Sequence, residues 1–481
     1  MIKLNLITEL LEHQKKAVEK LKKIKISALY LEQGTGKTRT ALELIKIRLD
    51  KGKINHVIWL CPCSVKENLR RDIIKHTGEE QEELITICGI ETLSSSIKAN
   101  MDLLKLVEKY NCYLIADESN LVKNHKAKRT QNIIRLAEKC TYKMILNGTP
   151  ITRNEADLYS QWYVLDWRVL GYKSFWSFSA NHLEYDDTGR IRKCLNTDYL
   201  TEKIAPYSYQ VKKSEYLDLP KKTYETEYYR LTHEQIEHYD QVADDLMFEL
   251  DELEPNTIYR LFNGLQNVIT GFRVNTSKKN LTRTNFFKNP RENPRIETLL
   301  NTLSNISDEK VIIFCKYTQE IEDITQILNE DYGEGTAVKF DGELSQKKRQ
   351  QNLDNFINNA RFLVANKQCG AYGLNLQFCS YIIYYTNDWD YGTRSQSEDR
   401  VHRIGQNNNV HIIDICAAYT LDERIIDCLN RKENLVDSFK SELERLKDKN
   451  ELISWITKRD FRGKKYNKKM IALDKEDLKE G

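Results

Sequence analysis

The sequence predicts an α/β protein with two parallel-sheet lobes and an α-helical insertion between them, and three observations carry that prediction. Apolar strands alternate with amphipathic helical runs from Ser27 to Leu146 and again from Val311 to Cys416, which means βαβ units and a mainly parallel sheet, twice over. Between those runs, from about Asp166 to Arg295, the alternation lapses. The first run also opens on a strand, a glycine turn and a helix in immediate succession, the local context of a phosphate-binding loop. At 481 residues the chain has room for two or three domains. The expected division is 1–165 for the first lobe, 166–295 for insertion and linker, 296–446 for the second lobe and 447–481 for a basic tail.

In the first run, Ser27 to Leu31 is the strand, Glu32-Gln33-Gly34-Thr35-Gly36-Lys37-Thr38 the loop and Arg39 to Leu49 the helix. The glycines let backbone N–H groups approach phosphates, Lys37 supplies a point charge for the β and γ groups, and Thr38 offers a hydroxyl to Mg²⁺. Leu31 stands where the strict GxxxxGK[ST] pattern has its first glycine, so the match is to the GxGKT core. Further along, the apolar strand Cys112 to Ala116 ends in Asp117 and Glu118. Adjacent carboxylates at a strand end suit phosphoryl transfer, with Asp117 holding Mg²⁺ and Glu118 orienting the attacking water.

The insertion begins with Trp167, Phe175, Trp176 and Phe178, continues through a tyrosine-rich stretch from Tyr207 to Tyr229, and carries a long helical pattern from Thr232 to about Phe272. Those aromatics are expected in a core rather than as base-stacking platforms. Asn280 to Pro294, with two prolines among polar residues, reads as a linker that hinges the lobes. The second run has strands at Val311–Cys315, Val338–Phe340, Phe362–Ala365, Tyr381–Tyr385 and Val410–Cys416, with helices near Gln319–Asn329 and Gln346–Asn358. Near its end, Gln396, Arg400 and Arg403 fall at i, i+4 and i+7, which on a helix is one stripe able to address a single ligand. Planar, permanently charged guanidinium groups suit a transferring phosphoryl group, while the alternative is a salt-bridged surface helix. The stretch Lys458 to Lys469 holds seven basic residues against Asp460, either as a solvated run or as an arm on phosphates.

Composition excludes a global electrostatic attraction to nucleic acid. Lys+Arg of 74 against Asp+Glu of 71 leaves a net charge of +3, so binding must come from local patches such as Lys123 to Arg129. No apolar run approaches the ~18 residues that span a bilayer, and the opening residues lack a signal-peptide pattern. A cytoplasmic location with no membrane partner is expected. The 11 cysteines are scattered without CxxC pairs, which argues for reduced thiols over disulfides or zinc.

In the order phosphate loop, Asp117-Glu118, Arg400-x-x-Arg403, these strings resemble the Snf-two family of DNA-dependent ATPases within helicase superfamily two, from about Leu10 to Asp427. The Arg-Ile-Gly-Gln ending at Gln406 is the most family-specific string, and the compact size is similar to phage or mobile-element members. The resemblance implies two RecA-like lobes, ATP and Mg²⁺ as cofactors, and nucleotide contacts from Gln14, Gly34, Thr35, Gly36, Lys37, Thr38, Asp117, Gly373 and Gln396. Glu118, Lys37, Arg400 and Arg403 would carry catalysis. Leu11-Glu12-His13-Gln14 is similar to the family's adenine-reading motif. Motifs similar to Ia, Ib, III, IV and V place Pro62, Ser64, Thr92, Thr149, Lys316 and Asn375 on the DNA path, and the run after Glu118 adds Lys123 and Asn124. Lys212-Lys213 and Leu217-Asp218-Leu219-Pro220 resemble elements that precede the second lobe. One departure is Asn120, where the family usually has the His that links nucleotide to motif III; an amide still donates and accepts hydrogen bonds. The implied function is an ATP-driven translocase on double-stranded DNA, with other phage or host DNA-processing proteins as further partners. A strand-separating DNA or RNA helicase and an ATP-gated DNA-binding clamp stay open as alternatives.

Overall fold

The structure, a computed structural model, describes residues 3–148, 155–185, 191–211, 216, 219–248, 255–277, 280–366, 374–432, 435, 438–439, 442, 451 and 454–456. The chain forms two compact units, one from Met1–Leu219 with Ala371–Asn375, the other from Pro220–Gly370 with Leu376–Gly481.

The first unit has strands β1 Ile26–Leu31, β2 His56–Cys61, β3 Ile85–Gly89, β4 Cys112–Ala116, β5 Tyr142–Asn147, β6 Leu183–Tyr185, β7 Ile191–Cys194 and β8 Ser208–Val211. Six of them form one parallel sheet in the order β3-β2-β4-β5-β1-β8. Its central strands are unbroken apolar runs because both faces are covered. Val57, Trp59 and Cys61 of β2 pack under Ala41, Ile45, Leu69 and Ile73 from the helices Lys37–Asp50 and Lys66–Thr77. Ile58 and Leu60, one step out of phase, pack under Leu103, Val107, Ile133 and Leu136 from the helices Ile97–Lys109 and Lys128–Glu138. The period of two along a strand thus feeds two separate cores. With β5 between β1 and β4, the glycine loop and Asp117-Glu118 leave the same carboxyl edge of the sheet, where ligands bind in open α/β folds.

The second unit repeats the scheme with β9 Lys222–Tyr229, β10 Phe272–Asn275, β11 Thr282–Asn285, β12 Val311–Cys315, β13 Ala337–Phe340, β14 Phe362–Asn366, β15 Tyr381–Tyr384 and β16 Val410–Ala417. Its parallel sheet runs β13-β14-β12-β15-β16-β9. Arg295, fully buried, staples it: its guanidinium donates to Asp422 at 2.7 Å, to the Tyr229 hydroxyl at 3.0 Å and to the carbonyls of Tyr385 and Ile415. These two six-stranded parallel sheets with flanking helices are the two parallel-sheet lobes that the sequence predicts.

Four features differ from expectation. The segment 166–295 is not one separate body: β8 closes the first sheet and β9 the second, so the units divide at Leu219/Pro220. The helical pattern from Thr232 forms two helices, His233–Phe248 and Pro255–Thr270, with Pro255 at a first-turn position where its missing N–H costs nothing. The expected linker Asn280–Pro294 lies inside the second unit, where β11 pairs antiparallel with β10 and the Arg283 guanidinium sits 4.6 Å from the Phe272 ring. Of the early aromatics, Phe178 is fully buried, but Trp176 is 80% exposed and is no part of a core. Cys61, Cys112, Cys315 and Cys416 are buried free thiols in strands, and Cys63 is exposed. Among the described residues, no helix is long and apolar enough to cross a membrane. The basic run 458–469, Lys212-Lys213 and Leu217-Asp218 lie outside the described residues.

Candidate nucleotide-binding site

The loop after β1 turns through Gly34 and Gly36, at φ 83° and 86°, a region that glycine enters without steric cost. Gly36 caps the helix Lys37–Asp50, whose first turn carries no side-chain cap. Its leading N–H groups have no intrahelical partners and suit an anion. The Lys37 ammonium is buried, makes no hydrogen bond and stands 3.9 Å from Glu118 Oε1. A buried, unbonded ammonium at a helix N-terminus fits a phosphate oxygen.

Asp117 donates its N–H to the Leu60 carbonyl at 2.7 Å and accepts the Glu118 N–H on Oδ1 at 2.9 Å. Burial pushes its carboxyl up to about 6, the Glu118 charge adds to the rise and Lys37 opposes it. Glu118 holds φ 48° and ψ 57°, a left-handed conformation uncommon for a side chain of this kind and typical of strain kept at functional sites. Among the described residues no three His, Cys, Asp or Glu side chains gather as a metal cluster. Thr38 and Asp117 are the donors expected for Mg²⁺, which is commonly held by one or two protein oxygens with substrate phosphates and water.

Gln14 is 3% exposed. Its Oε1 accepts the Leu11 N–H at 3.0 Å and its Nε2 donates to the Thr35 carbonyl at 3.1 Å. His13, which no sequence pattern singles out, donates Nε2 to that same carbonyl at 2.8 Å. Two neighbouring side chains thus pin the glycine loop, and the Gln14 amide keeps one hydrogen and one lone pair for a base.

On the expected DNA path, the turn holding Pro62 and Ser64 is tied to the one holding Thr92. The Cys63 N–H donates to Glu91 at 2.9 Å, and Cys63 Sγ lies 3.3 Å from Thr92 Oγ1. Lys123 Nζ is 3.6 Å from Asp157 Oδ2. Asn124 is exposed, with Oδ1 accepting the Lys126 N–H at 2.9 Å, and Asn375 is exposed. Thr149 and Gly373 lie outside the described residues. Lys316 departs from expectation: its ammonium donates to Gln266 at 2.6 Å and lies 3.7 Å from the Trp389 ring centre, and burial lowers it to about 8. That charge serves the interior of the second unit.

The arginine stripe also departs from expectation. The helix Tyr391–Glu398 carries Gln396 and stops with Asp399 as its C-cap, so Arg400 and Arg403 sit in the following turns. The turns close on the N–H of Gln406, which donates to the Arg403 carbonyl at 3.0 Å, after Gly405 at φ 96°. Arg394 is the residue that fixes this segment. Buried at 4% exposure, it holds Asp414 with two nitrogens at 2.6 and 2.9 Å and Glu398 at 3.0 Å. Glu398 in turn accepts from Lys222 and from the Tyr224 hydroxyl, both at 2.9 Å. The i,i+4 spacing of Arg394 and Glu398 was a visible signal, but Asp414 was not.

Two family models match the chain, the SNF2-related domain over residues 80–283 and the helicase conserved C-terminal domain over residues 294–405. MG018 of Mycoplasma genitalium, an uncharacterized ATP-dependent helicase, is 26% identical over 362 residues, covering 74% of this chain and 33% of that protein. Chromodomain-helicase-DNA-binding protein 1-like of Mus musculus is 23% identical over 428 residues, covering 82% of this chain and 45% of that protein. The chain therefore spans a third to a half of the length of these relatives. Among solved structures, the Sulfolobus solfataricus SWI2/SNF2 ATPase core in complex with dsDNA has 22% identity and a TM-score of 0.42, covering 96% of this chain and 97% of that one.

Proposed function

We propose that the chain, which matches the SNF2-related domain over residues 80–283 and the helicase conserved C-terminal domain over residues 294–405, hydrolyses ATP to move along double-stranded DNA without opening it, in the cytoplasm. One observation carries the ATP part: the buried, unbonded Lys37 ammonium at the head of an uncapped helix, 3.9 Å from a strained Glu118. The DNA part is supported by the motif strings and by a relative named for DNA binding.

In this reading the N–H groups of the glycine loop and Lys37 bind the β and γ phosphates. His13 and Gln14 hold the Thr35 carbonyl, and with it the loop, in shape. Glu118 orients a water and takes its proton as the water oxygen bonds to the γ phosphorus and the bond to the β-phosphate oxygen breaks, leaving ADP and phosphate. Thr38 and Asp117 would hold Mg²⁺, which would supply positive charge to the phosphates. In the second unit, Arg400 and Arg403 are the guanidinium groups this reading assigns to charge stabilisation, and Arg394 with Glu398 sets the turn that bears them.

The test is ATP hydrolysis with no nucleic acid, single-stranded DNA, duplex DNA and RNA in parallel. Duplex DNA should stimulate most, and equal stimulation by RNA would overturn the choice of track. Displacing a third strand from a triplex while leaving a forked duplex paired would mark a translocase. Unwinding the fork without triplex displacement favours the helicase reading, and neither activity despite stimulation favours the clamp.

A further inference from the structure

Within the first unit, the strained carboxylate and a residue expected on DNA are joined through one helix, Ala156–Leu170. Ser119, next to Glu118 and fully buried, donates Oγ to Gln161 Oε1 at 2.5 Å. Gln161, also fully buried, donates Nε2 to the Asp157 carbonyl one turn earlier at 2.9 Å. The Asp157 carboxylate stands 3.6 Å from Lys123 Nζ, and the Lys123 carbonyl accepts from Ser160 Oγ at 3.0 Å. Asp157 thus meets Lys123 with its side chain and Gln161 with its main chain.

A glutamate at φ 48° persists where its surroundings over-determine it, and the short buried bond from Ser119 to Gln161 is such a constraint. Asn120, in the place where the resemblance leads one to expect a linking His, has its Oδ1 buried without a hydrogen-bond donor. The Asn120 side-chain carbonyl oxygen is not engaged, whereas the bond from Ser119 to Gln161 is made.

We infer that Gln161 is a positioning residue that couples occupancy of Lys123 by a DNA phosphate to the geometry of Glu118. A phosphate competes with the Asp157 carboxylate for the Lys123 ammonium. The first turn of the helix is then released on one side, and Gln161 carries the change to Ser119 and the adjoining carboxylate. The inference rests on the reading of the chain as a DNA-stimulated ATPase with Lys123 on the phosphate track.

The test compares the full chain with Gln161→Leu, which keeps the bulk and removes both hydrogen bonds, and with Asp157→Asn, which loses the ion pair to Lys123. Turnover is measured with and without saturating duplex DNA, together with KM for ATP, Kd for duplex DNA and the melting temperature. The ratio of stimulated to basal turnover should fall about fivefold or more in both variants, while KM stays near the parent value and the DNA Kd stays near it in Gln161→Leu but tightens in Asp157→Asn, where the competing carboxylate is gone. Ser119→Ala, the smallest change on the route, gives the same reading if Gln161→Leu does not fold. An unchanged ratio in folded variants overturns the inference, as does an equal fall in basal and stimulated turnover, which would mark a structural role. If the parent chain itself is stimulated by no nucleic acid, the functional reading falls instead.

Discussion

Replacing Gly36 by alanine should cost nucleotide affinity by an amount that the loop geometry sets. Gly36 has φ 86°, and a Cβ there would lie 2.1 Å from Gln14 Nε2 and 3.2 Å from its Cδ. Holding an alanine in the left-handed region costs about 1–2 kcal/mol. The amide can swing away from the new methyl, but it then leaves the Thr35 carbonyl, a loss of about 0.5–1.5 kcal/mol. The sum, about 1.5–3.5 kcal/mol, corresponds to roughly 10- to 400-fold in Kd if the loop must keep this shape to bind phosphates. Calorimetric titration of Gly36→Ala with a slowly hydrolysed ATP analogue and Mg²⁺ reads that number, with a thermal melt confirming the fold. Gln14→Ala provides the partition. Once the amide is gone the methyl meets open space, so the double variant should lose less than the two single losses added. Binding of Gly36→Ala within about threefold of the parent would refute the argument, since 0.65 kcal/mol or so cannot contain the left-handed term. Strict additivity would show that the methyl does not meet Gln14.

Further outcomes follow from the same structure. Glu118→Gln should bind nucleotide like the parent and lose about 10²- to 10⁴-fold in turnover, and parental turnover would remove Glu118 from its role; Lys37→Ala should instead weaken binding itself. Lys replacements of Arg400 and Arg403 keep charge but lose the planar fork, so turnover should collapse with binding affected much less, and near-normal rates in both would return the turn to a structural role. Arg394→Met leaves the buried Asp414 without its cation, while Glu398 keeps Lys222 and the Tyr224 hydroxyl, and should destabilise the second unit by about 3–5 kcal/mol in urea titrations. Asp117 must be ionised to hold Mg²⁺, and its carboxyl is raised to about 6, so at limiting Mg²⁺ turnover should fall as pH drops through that value, and added Mg²⁺ should move the fall lower. In the metal-free protein the same rise has the opposite sign: the folded state holds the proton more tightly than the unfolded chain, so this group's contribution to stability declines between pH 4 and about 6.

The chemistry of the glycine loop was legible because strand, turn and helix are contiguous there, and Lys37, Thr38 and the two glycines occupy the places their local pattern implies. The two parallel sheets were legible for a related reason, since strands buried on both faces read as unbroken apolar runs. Strands β9 and β11 gave no such signal. Lys222-Thr223-Tyr224-Glu225-Thr226-Glu227 is an edge strand with a largely wet outer face, and all four residues of β11 are exposed. The arginine stripe misled because helical spacing says nothing of where a helix stops, and here it stops at Glu398. Arg295 with Asp422, and Ser119 with Gln161, are 127 and 42 residues apart; long-range pairing of single polar residues leaves no trace in a local pattern.

The placement of β9 has a bearing on how the chain is made. The first sheet is complete once Val211 has been synthesised, because its strands span residues 26–211. The second sheet begins with β9, whose partner β16 pairs Lys222 with Val410, 188 residues later. At ordinary rates of synthesis, about 5–20 residues per second, β9 waits on the order of 10–40 s at the ribosome before its ladder can form. A strand left open that long invites pairing with another nascent copy. Lys222, Glu225 and Glu227 make β9 a poor template for such pairing, so the polar character that hid it from a pattern search also guards the chain while it waits.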